Sequence, residues 1–130
     1  MIKKNFIVLY VIGVIILFGT GCQENLVQIK GVCTYNDEPV EDVIVTFVPQ
    51  EDKPSSSALI QKEGKFLIVY KAGVNGIHTG QYSAFFDSPS LESKPNKAGA
   101  ALIKKYAHTT TGLPFSVSKS SNNYRWDITD

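Results

Sequence analysis

Hydrophobic and polar residues alternate along much of the chain beyond residue 26. In residues 27–35 the odd-numbered positions are mostly apolar and the even-numbered positions mostly polar. Alternation of this kind, with many β-branched and aromatic residues, is typical of a half-buried strand. Residues 43–48 are a run of Val, Ile, Thr and Phe, which predicts the strongest strand of the chain. Pro49 ends this run because it has no N–H group to donate.

Turn-rich segments separate these two strands from five others. The loops are rich in Pro, Gly, Ser, Asn and Asp, which favour turns for distinct conformational reasons. Pro114 places its strand at a sheet edge or marks the start of that strand. Gly64 supplies a positive φ in a predicted hairpin between residues 58–60 and 65–70. Residues 100–106 are expected to form one helical turn at most. The further strands are predicted at residues 58–60, 65–70, 81–86, 113–117 and 124–128.

Seven short strands without a convincing helix predict an all-β fold, a seven-stranded antiparallel Greek-key sandwich. Such a sandwich buries the inward side chains of two sheets that pack about 10 Å apart. The parity of the positions predicts which side chains form this core: Ile29, Tyr35, Val43, Val45, Phe47, Phe66, Ile68, Tyr82, Ala84 and Trp126.

The first 22 residues have a different pattern from the rest of the chain. Lys3 and Lys4 precede a largely apolar run of 13 residues, 6–18, and small residues then lead to Cys22. A membrane-spanning helix needs about 20 apolar residues to cross roughly 30 Å of hydrocarbon, so this run is short for one. Its length and its basic start fit a cleaved export signal. The alternative is an uncleaved N-terminal anchor.

The residues before the cysteine add a more specific signal. Thr20, Gly21 and Cys22 resemble the end of a bacterial lipoprotein signal. Gly19 departs from that motif, which has Leu or another aliphatic residue at this position. The resemblance implies that the Cys22 thiol carries diacylglycerol, with acyl chains such as palmitate, and that the chain is cut before it. Two or three acyl chains make such anchoring effectively permanent.

This resemblance also implies how the chain is divided and where it resides. Residues 1–21 are then a lipoprotein signal peptide, residues 22–25 a tether and residues 26–130 a β-sandwich domain. The protein is expected to be lipid-anchored in the cell envelope. Gln23 stands where an Asp favours retention in the inner membrane, so the outer membrane is favoured over the inner membrane.

Composition limits what the domain can bind. Residues 22–130 contain 11 Lys and Arg against 12 Asp and Glu, without a basic cluster. Nucleic-acid binding requires clustered basic side chains, so no nucleic-acid partner is expected. If Cys22 carries lipid, Cys33 has no partner for an intramolecular disulfide. Its place in an apolar strand predicts a buried, unreactive cysteine.

Four segments share their order and spacing with a known kind of domain. Residues 31–40 read G-V-C-T-Y-N-D-E-P-V, and a V-T-F-V-P strand follows; G-K-F and G-Q-Y occur later, at residues 64–66 and 80–82. Together they resemble the carboxypeptidase regulatory-like domains, which open with G-x-V-x-Y-D-G-K-P-V and V-x-F-x-P. The departures are N-D for D-G in the first turn and Gln61 for the usual hairpin Asp. The resemblance spans residues 27–128 and implies a transthyretin-like fold without catalytic activity.

No catalytic or metal-binding constellation is predicted. His78 and His108 are isolated in loops without a second ligand at metal-binding spacing, so neither a metal nor a cofactor is expected. Related 5-hydroxyisourate hydrolases share the sandwich, end in Tyr-Arg-Gly-Ser and carry a histidine on the first strand. Residues 124–127 of this chain read Y-R-W-D, and its first strand has no histidine. The general base is therefore missing, and the domain is predicted not to be an enzyme.

Two further hypotheses concern individual side chains. Related domains of surface adhesins join a first-strand Lys to a last-strand Asn, and Lys30 and Asn123 occupy corresponding positions. Lys30 lies on the polar face of its strand, however, so it is predicted to be exposed instead. Phe86 either fills the end of the core or joins Tyr70 and His78 in a ligand-binding groove at a loop end.

The sequence thus predicts a lipid-anchored cell-envelope protein with a non-catalytic sandwich that has a structural or binding role. The alternative is a periplasmic accessory that binds a peptide, glycan or partner protein through loop ends or a sheet edge. In both cases the lipid anchor makes the membrane a partner, and an envelope protein or glycan is a possible second partner. The identity of the ligand and the oligomeric state stay open.

Overall fold

A computed structural model describes residues 26–108 and 111–130, and the fold is all-β and sandwich-like with little helix. The described residues include no helix that is long and apolar enough to cross a membrane. One α-helix, α1 (Lys97–Lys105), and a 3₁₀ turn, Lys62–Gly64, accompany the strands. The strands are β1 (Leu26–Val27), β2 (Ile29–Tyr35), β3 (Glu38–Pro39), β4 (Val43–Pro49), β5 (Ser56–Ile60), β6 (Lys65–Leu67), β7 (Val69–Lys71), β8 (Val74–Asn75), β9 (Ile77–His78), β10 (Gly80–Asp87), β11 (Leu113–Val117) and β12 (Ser121–Ile128).

Two sheets form the sandwich. The larger sheet has six strands in the order β11-β10-β4-β5-β7-β8. The smaller sheet has β2 between β12 and β3, and β6 also pairs with β2. β1 and β9 form a separate two-stranded pair. The predicted antiparallel arrangement is confirmed for the described pairings except that of β2 with β12, which is parallel.

The parallel pair follows from the connection between β11 and β12. Residues 118–120 carry the chain from the larger to the smaller sheet at the end of the sandwich where β2 begins, so β12 runs in the same direction as β2. We call this end the β1 pole; it comprises β1, β9, the loops 50–55 and 118–120, and the turn 72–73. The opposite end is the helix pole, which comprises α1, the loop 88–96 and the turn 36–37.

The predicted hairpin between residues 58–60 and 65–70 is confirmed only in part. β6 pairs with β2 in the smaller sheet, whereas β7 pairs with β5 in the larger sheet. Ile68 lies between β6 and β7, is fully buried, and donates its N–H to the Ile29 carbonyl at 3.0 Å. One apolar run therefore serves both sheets, because the chain changes sheets at a core residue. Gly64 does have the predicted positive φ, at 77°.

The expectation of no convincing helix is wrong, because α1 is longer than the single turn predicted for residues 100–106. Asn96 caps it: the side-chain oxygen of Asn96 accepts a hydrogen bond from the Gly99 N–H at 2.9 Å. Ala98 and Leu102, four residues apart, are buried on the side that faces the sandwich. A Pro-Asn pair before an Ala-rich segment is the sequence signal for such a start.

The predicted core is confirmed. All ten side chains assigned to it by parity are at most 8 % exposed. Trp126 of the smaller sheet lies at its centre. The Trp126 ring contacts Phe47, Phe86 and Phe115 of the larger sheet, with centroid distances of 5.7, 5.6 and 4.8 Å. This aromatic cluster joins the two layers of the sandwich.

The structure also bears on three predictions about loops and single residues. Cys33 is fully buried, and desolvation, followed by the charge of Asp127, raises the pKa of its thiol to about 12, so the expectation of a buried core cysteine is confirmed. Pro114 lies near the start of β11, which is an edge strand of the larger sheet, as predicted. Asn36 and Asp37 have φ values of 49° and 70°, as a type I′ hairpin turn requires.

Candidate functional site

The first strand places the start of the described chain at the β1 pole. Leu26 pairs with His78, and Val27 pairs with Ile77. Cys22, the predicted lipidation site, lies outside the described residues, four positions before Leu26. Four residues of chain span at most about 14 Å. A group attached to Cys22 is therefore held close to the β1 pole.

Tyr70 and His78 are neighbours at this pole. Their rings meet edge to face with centroids 5.2 Å apart. The Tyr82 hydroxyl donates to the His78 carbonyl oxygen at 2.7 Å and so holds the backbone beside the ring. The buried Nε2 atom of His78 has no hydrogen-bond partner within the described part of the chain. The structure thus brings together two of the three residues of the hypothetical groove, and their binding role stays a prediction.

Phe86 does not belong to this pair. Its side chain is 0 % exposed, and its ring lies 5.6 Å from that of Trp126. Tyr82, Ala84 and Phe86 alternate inward along β10, so Phe85 is the residue that points outward. Because a fully buried ring offers no surface to a ligand, the assignment of Phe86 to the groove is corrected. It fills the core, which was the alternative.

A depression of about 320 Å³ lies on the outer face of the smaller sheet. Its lining includes the cationic side chains of Lys30, Lys65 and Arg125, from three neighbouring strands. Tyr124 and Phe66 also line it, and none of its lining residues is acidic. Lys65 and Arg125 each pair at 3.2 Å with an exposed carboxylate outside the lining, that of Glu63 and that of Asp127. An anionic group in the depression would share these cations with the two carboxylates.

The sequence pattern does not predict this depression as a site. Lys30 and Asn123 were singled out as a possible cross-link; both are exposed, as predicted for Lys30, and both line the depression. Lys65 and Arg125 were missed because they are far from Lys30 in sequence. They come together because Val32 of β2 pairs with Lys65 on one side and Arg125 on the other. Only the pairing of β6 and β12 with β2 reveals the cluster.

A polar cluster at the helix pole centres on Asp130. Its carboxylate accepts hydrogen bonds from the Tyr35 hydroxyl, from the Lys105 ammonium at 2.6 Å and from the Asn36 side-chain amide at 3.2 Å. These hydrogen bonds lower the pKa of the Asp130 carboxyl to about 2, and the bond from Lys105 contributes most to this effect. Hydrogen bonding to Asp130 also raises the pKa values of Tyr35 and Lys105. The cluster links the residues after β12 to β2 and α1, which is a structural role.

This cluster predicts that the domain loses stability on acidification from about pH 4 towards pH 2. The Asp130 carboxyl has a lower pKa in the folded state than the value of about 3.9 in an unfolded chain. Its contribution is therefore complete above the unfolded value and is lost as the pH falls through the folded value. Urea unfolding at a series of pH values measures the effect.

Two variants isolate the contribution of Asp130. Asp130→Asn should be less stable than the wild type near neutral pH and should lose less stability on acidification. Asp52→Asn, on a loop at the β1 pole, removes a negative charge outside the cluster and should follow the wild-type profile. Identical pH dependence of the wild type and Asp130→Asn would contradict the assignment.

The described residues include no group of three His, Cys, Asp or Glu side chains that could hold a metal ion. Comparisons of the chain with protein-family models, with curated proteins and with solved structures find no match. The function is therefore inferred from the sequence pattern and the geometry of the domain.

Proposed function

We propose that this protein is a lipid-anchored component of the cell envelope and that residues 26–130 form a non-catalytic β-sandwich with a structural or binding role. One observation carries the proposal. The first described strand begins at Leu26, four residues after Cys22, and every side chain of the described core follows it. Cleavage before Cys22 would therefore remove no part of this core. Export signal, anchor site and folded domain would follow one another with a minimal tether.

We further propose that the fold is a seven-stranded Greek-key sandwich of the transthyretin-like, carboxypeptidase regulatory-like kind. Seven long runs of strand support this: β2, β4, β5, β6 with β7, β10, β11 and β12, in the order predicted. The other described strands, β1, β3, β8 and β9, have two residues each. Gly64 directly precedes β6 and Gly80 opens β10, as in the hairpin and later strand of these domains.

Lipidation of Cys22 is the decisive test. Cells that express the full chain and are fed an alkyne-bearing palmitate analogue should incorporate the label into the protein. The Cys22→Ala variant should lose the label, since no thiol remains at that position to be acylated. It should also keep residues 1–21, because the cut depends on prior lipidation in the lipoproteins that the signal resembles. Intact mass and N-terminal sequencing measure both effects.

Cys33→Ala is the matched control, because Cys33 is the second of two cysteines in the chain and is fully buried. It should retain the label of the wild type. Label that persists in Cys22→Ala, or a wild-type protein that keeps residues 1–21, would contradict the lipid anchor. The latter result would support the uncleaved N-terminal anchor instead.

We assign the anchor to the outer membrane in preference to the inner membrane, because residue 23 is Gln and not Asp. Separation of the two membranes on a density gradient tests this assignment. The wild type should sediment with the outer membrane, and Gln23→Asp should move towards the inner membrane.

The depression on the smaller sheet supports a second function, that of an accessory which binds a peptide, glycan or partner protein. Lys30, Lys65 and Arg125 suit an anionic group. Recovery of one stoichiometric envelope protein with the lipidated chain would favour this function. Broad access of added protease to the domain without a partner would favour a structural role.

The sheet edges suit a partner strand less well. Pro114 interrupts the donors along β11. β12 has an irregular register between Ser121 and Tyr124 and exposes charged side chains at Arg125 and Asp127. Proline, bulges and charges are the features that keep edge strands from pairing with other chains. A ligand is therefore better placed on the sheet face than at these edges.

A further inference from the structure

The proposed lipid anchor at Cys22 limits how far the domain can be from the bilayer, and this inference rests on that anchor. The chain from Cys22 to Leu26 reaches at most about 14 Å. The headgroup layer takes up roughly 5–8 Å of this distance. Leu26 pairs with His78 at the β1 pole, so this pole is held at the headgroup surface. The helix pole lies farther away by about the length of β2, roughly 23 Å.

Two lysine-bearing segments lie next to the point where the tether enters the domain. Ser120 accepts a hydrogen bond from the Gln28 N–H at 3.0 Å, which holds the β11–β12 loop beside β1. The Gln28 side chain donates to the Asn75 carbonyl at 3.4 Å, which holds the β7–β8 turn nearby. Lys119 in that loop and Lys71 before that turn are exposed. Both ammonium groups are therefore available to a surface that the tether brings close.

The charges of the described residues are unevenly divided between the two halves of the sandwich. The half of the sandwich at the β1 pole comprises residues 26–31, 48–57, 68–83 and 116–124. It contains four lysines and two acidic residues, whereas the remaining described residues contain seven cationic and nine acidic ones. A domain that is neutral over its described residues thus has an excess of two positive charges in the half at the β1 pole and of two negative charges in the remaining half. The four lysines are Lys30, Lys53, Lys71 and Lys119.

We propose that the β1 pole rests on the surface of a bilayer that contains anionic phospholipid, with Lys71 and Lys119 at the headgroup phosphates. Attraction to such a surface falls off within a Debye length of about 8–10 Å. The tether holds the β1 pole within this distance of the headgroups. The half-buried Tyr70 ring lies 5.5 Å from the Lys71 ammonium and adds an aromatic group suited to the interface. The half of the sandwich with excess negative charge faces away from the membrane.

Depth-dependent quenching of an added tryptophan tests this orientation. The full-length lipidated protein is reconstituted into vesicles of phosphatidylcholine and phosphatidylglycerol that carry a nitroxide on the headgroup. Ala72→Trp places a reporter on the exposed turn of the β1 pole, and Leu91→Trp places one on the exposed loop of the helix pole. Trp126 is buried in both and gives a common background. We expect strong quenching of the first reporter and none above background for the second.

Charge reversal then tests the role of the two lysines. In the Ala72→Trp background, the double variant Lys71→Glu, Lys119→Glu should show less quenching. Each lysine lost near an anionic surface lowers the ratio of domains resting on the bilayer to domains away from it about fivefold. Lys97→Glu with Lys104→Glu, both exposed at the helix pole, is the matched control and should leave quenching unchanged. Equal quenching of the two reporters in vesicles that carry the protein would overturn the orientation alone. Failure of the wild type to float with the vesicles would overturn the lipid anchor, and this inference with it.

Discussion

Replacement of Trp126 with alanine should destabilise the domain by about 3–5 kcal/mol, the range observed for large aromatic residues removed from protein cores. Small domains have total stabilities of about 5–15 kcal/mol, so this loss is a large part of the whole. Trp126 is 7 % exposed, and its ring contacts Phe47, Phe86 and Phe115 of the larger sheet. The cavity left by alanine would separate the two layers at their centre.

Urea unfolding followed by far-ultraviolet circular dichroism measures this loss without relying on the fluorescence of the residue removed. Trp126→Phe is the matched control, because it keeps an aromatic ring in the same cluster and should cost clearly less. A Trp126→Ala variant as stable as Trp126→Phe would show that the aromatic contacts between the sheets contribute little.

The second large effect is expected for Gly31→Ala. A Cβ atom at Gly31 would lie 2.0 Å from the carbonyl oxygen of Tyr124 and 2.7 Å from its carbonyl carbon. Both are backbone atoms of β12, so the clash cannot be relieved by a side-chain rotation. The parallel pairing of β2 with β12 would have to open locally, and we expect a loss of at least about 3 kcal/mol, at the upper end for overpacking.

Gly73→Ala is the matched control for this prediction. Gly73 has a φ of 79° and nothing within 4 Å of the added Cβ atom, so its replacement introduces only backbone strain of about 1–2 kcal/mol. Urea midpoints of the two variants should therefore differ clearly. A Gly31→Ala variant no less stable than Gly73→Ala would mean that β12 does not approach β2 as closely as described.

Local patterns in the sequence predicted the inward side chains better than the pairing of the strands. Alternation assigned Phe66 and Ile68 to the core correctly, but it could not show that β6 and β7 belong to different sheets. Alternation depends only on which side of a strand a residue faces. The partner of a strand depends on segments distant in sequence, and β2 pairs with residues nearly a hundred positions away.

The candidate sites also divide into those that neighbouring residues predict and those that depend on distant segments. Cys22 was predicted from neighbouring residues alone, because a signal segment is a linear pattern. Tyr70 of β7 and His78 of β9 do lie together at one end of the fold, and their binding role stays a prediction. The run Phe85-Phe86 left two alternatives open, and only the position of β10 over the core decided that Phe86 points inward. The error concerned which of the two adjacent rings points inward, whereas the strand itself was predicted correctly.

By itself the sequence determined the strand-rich character of the domain, its buried faces and its cysteine in the core. These features depend on residues close together in sequence, where alternation and turn preferences act. Tertiary structure decided the parallel approach of β12 to β2, the switch of sheets at Ile68, and the grouping of Lys30, Lys65 and Arg125. These depend on how distant segments pack, since hydrophobic burial favours an inward side chain without specifying which strand lies beside it.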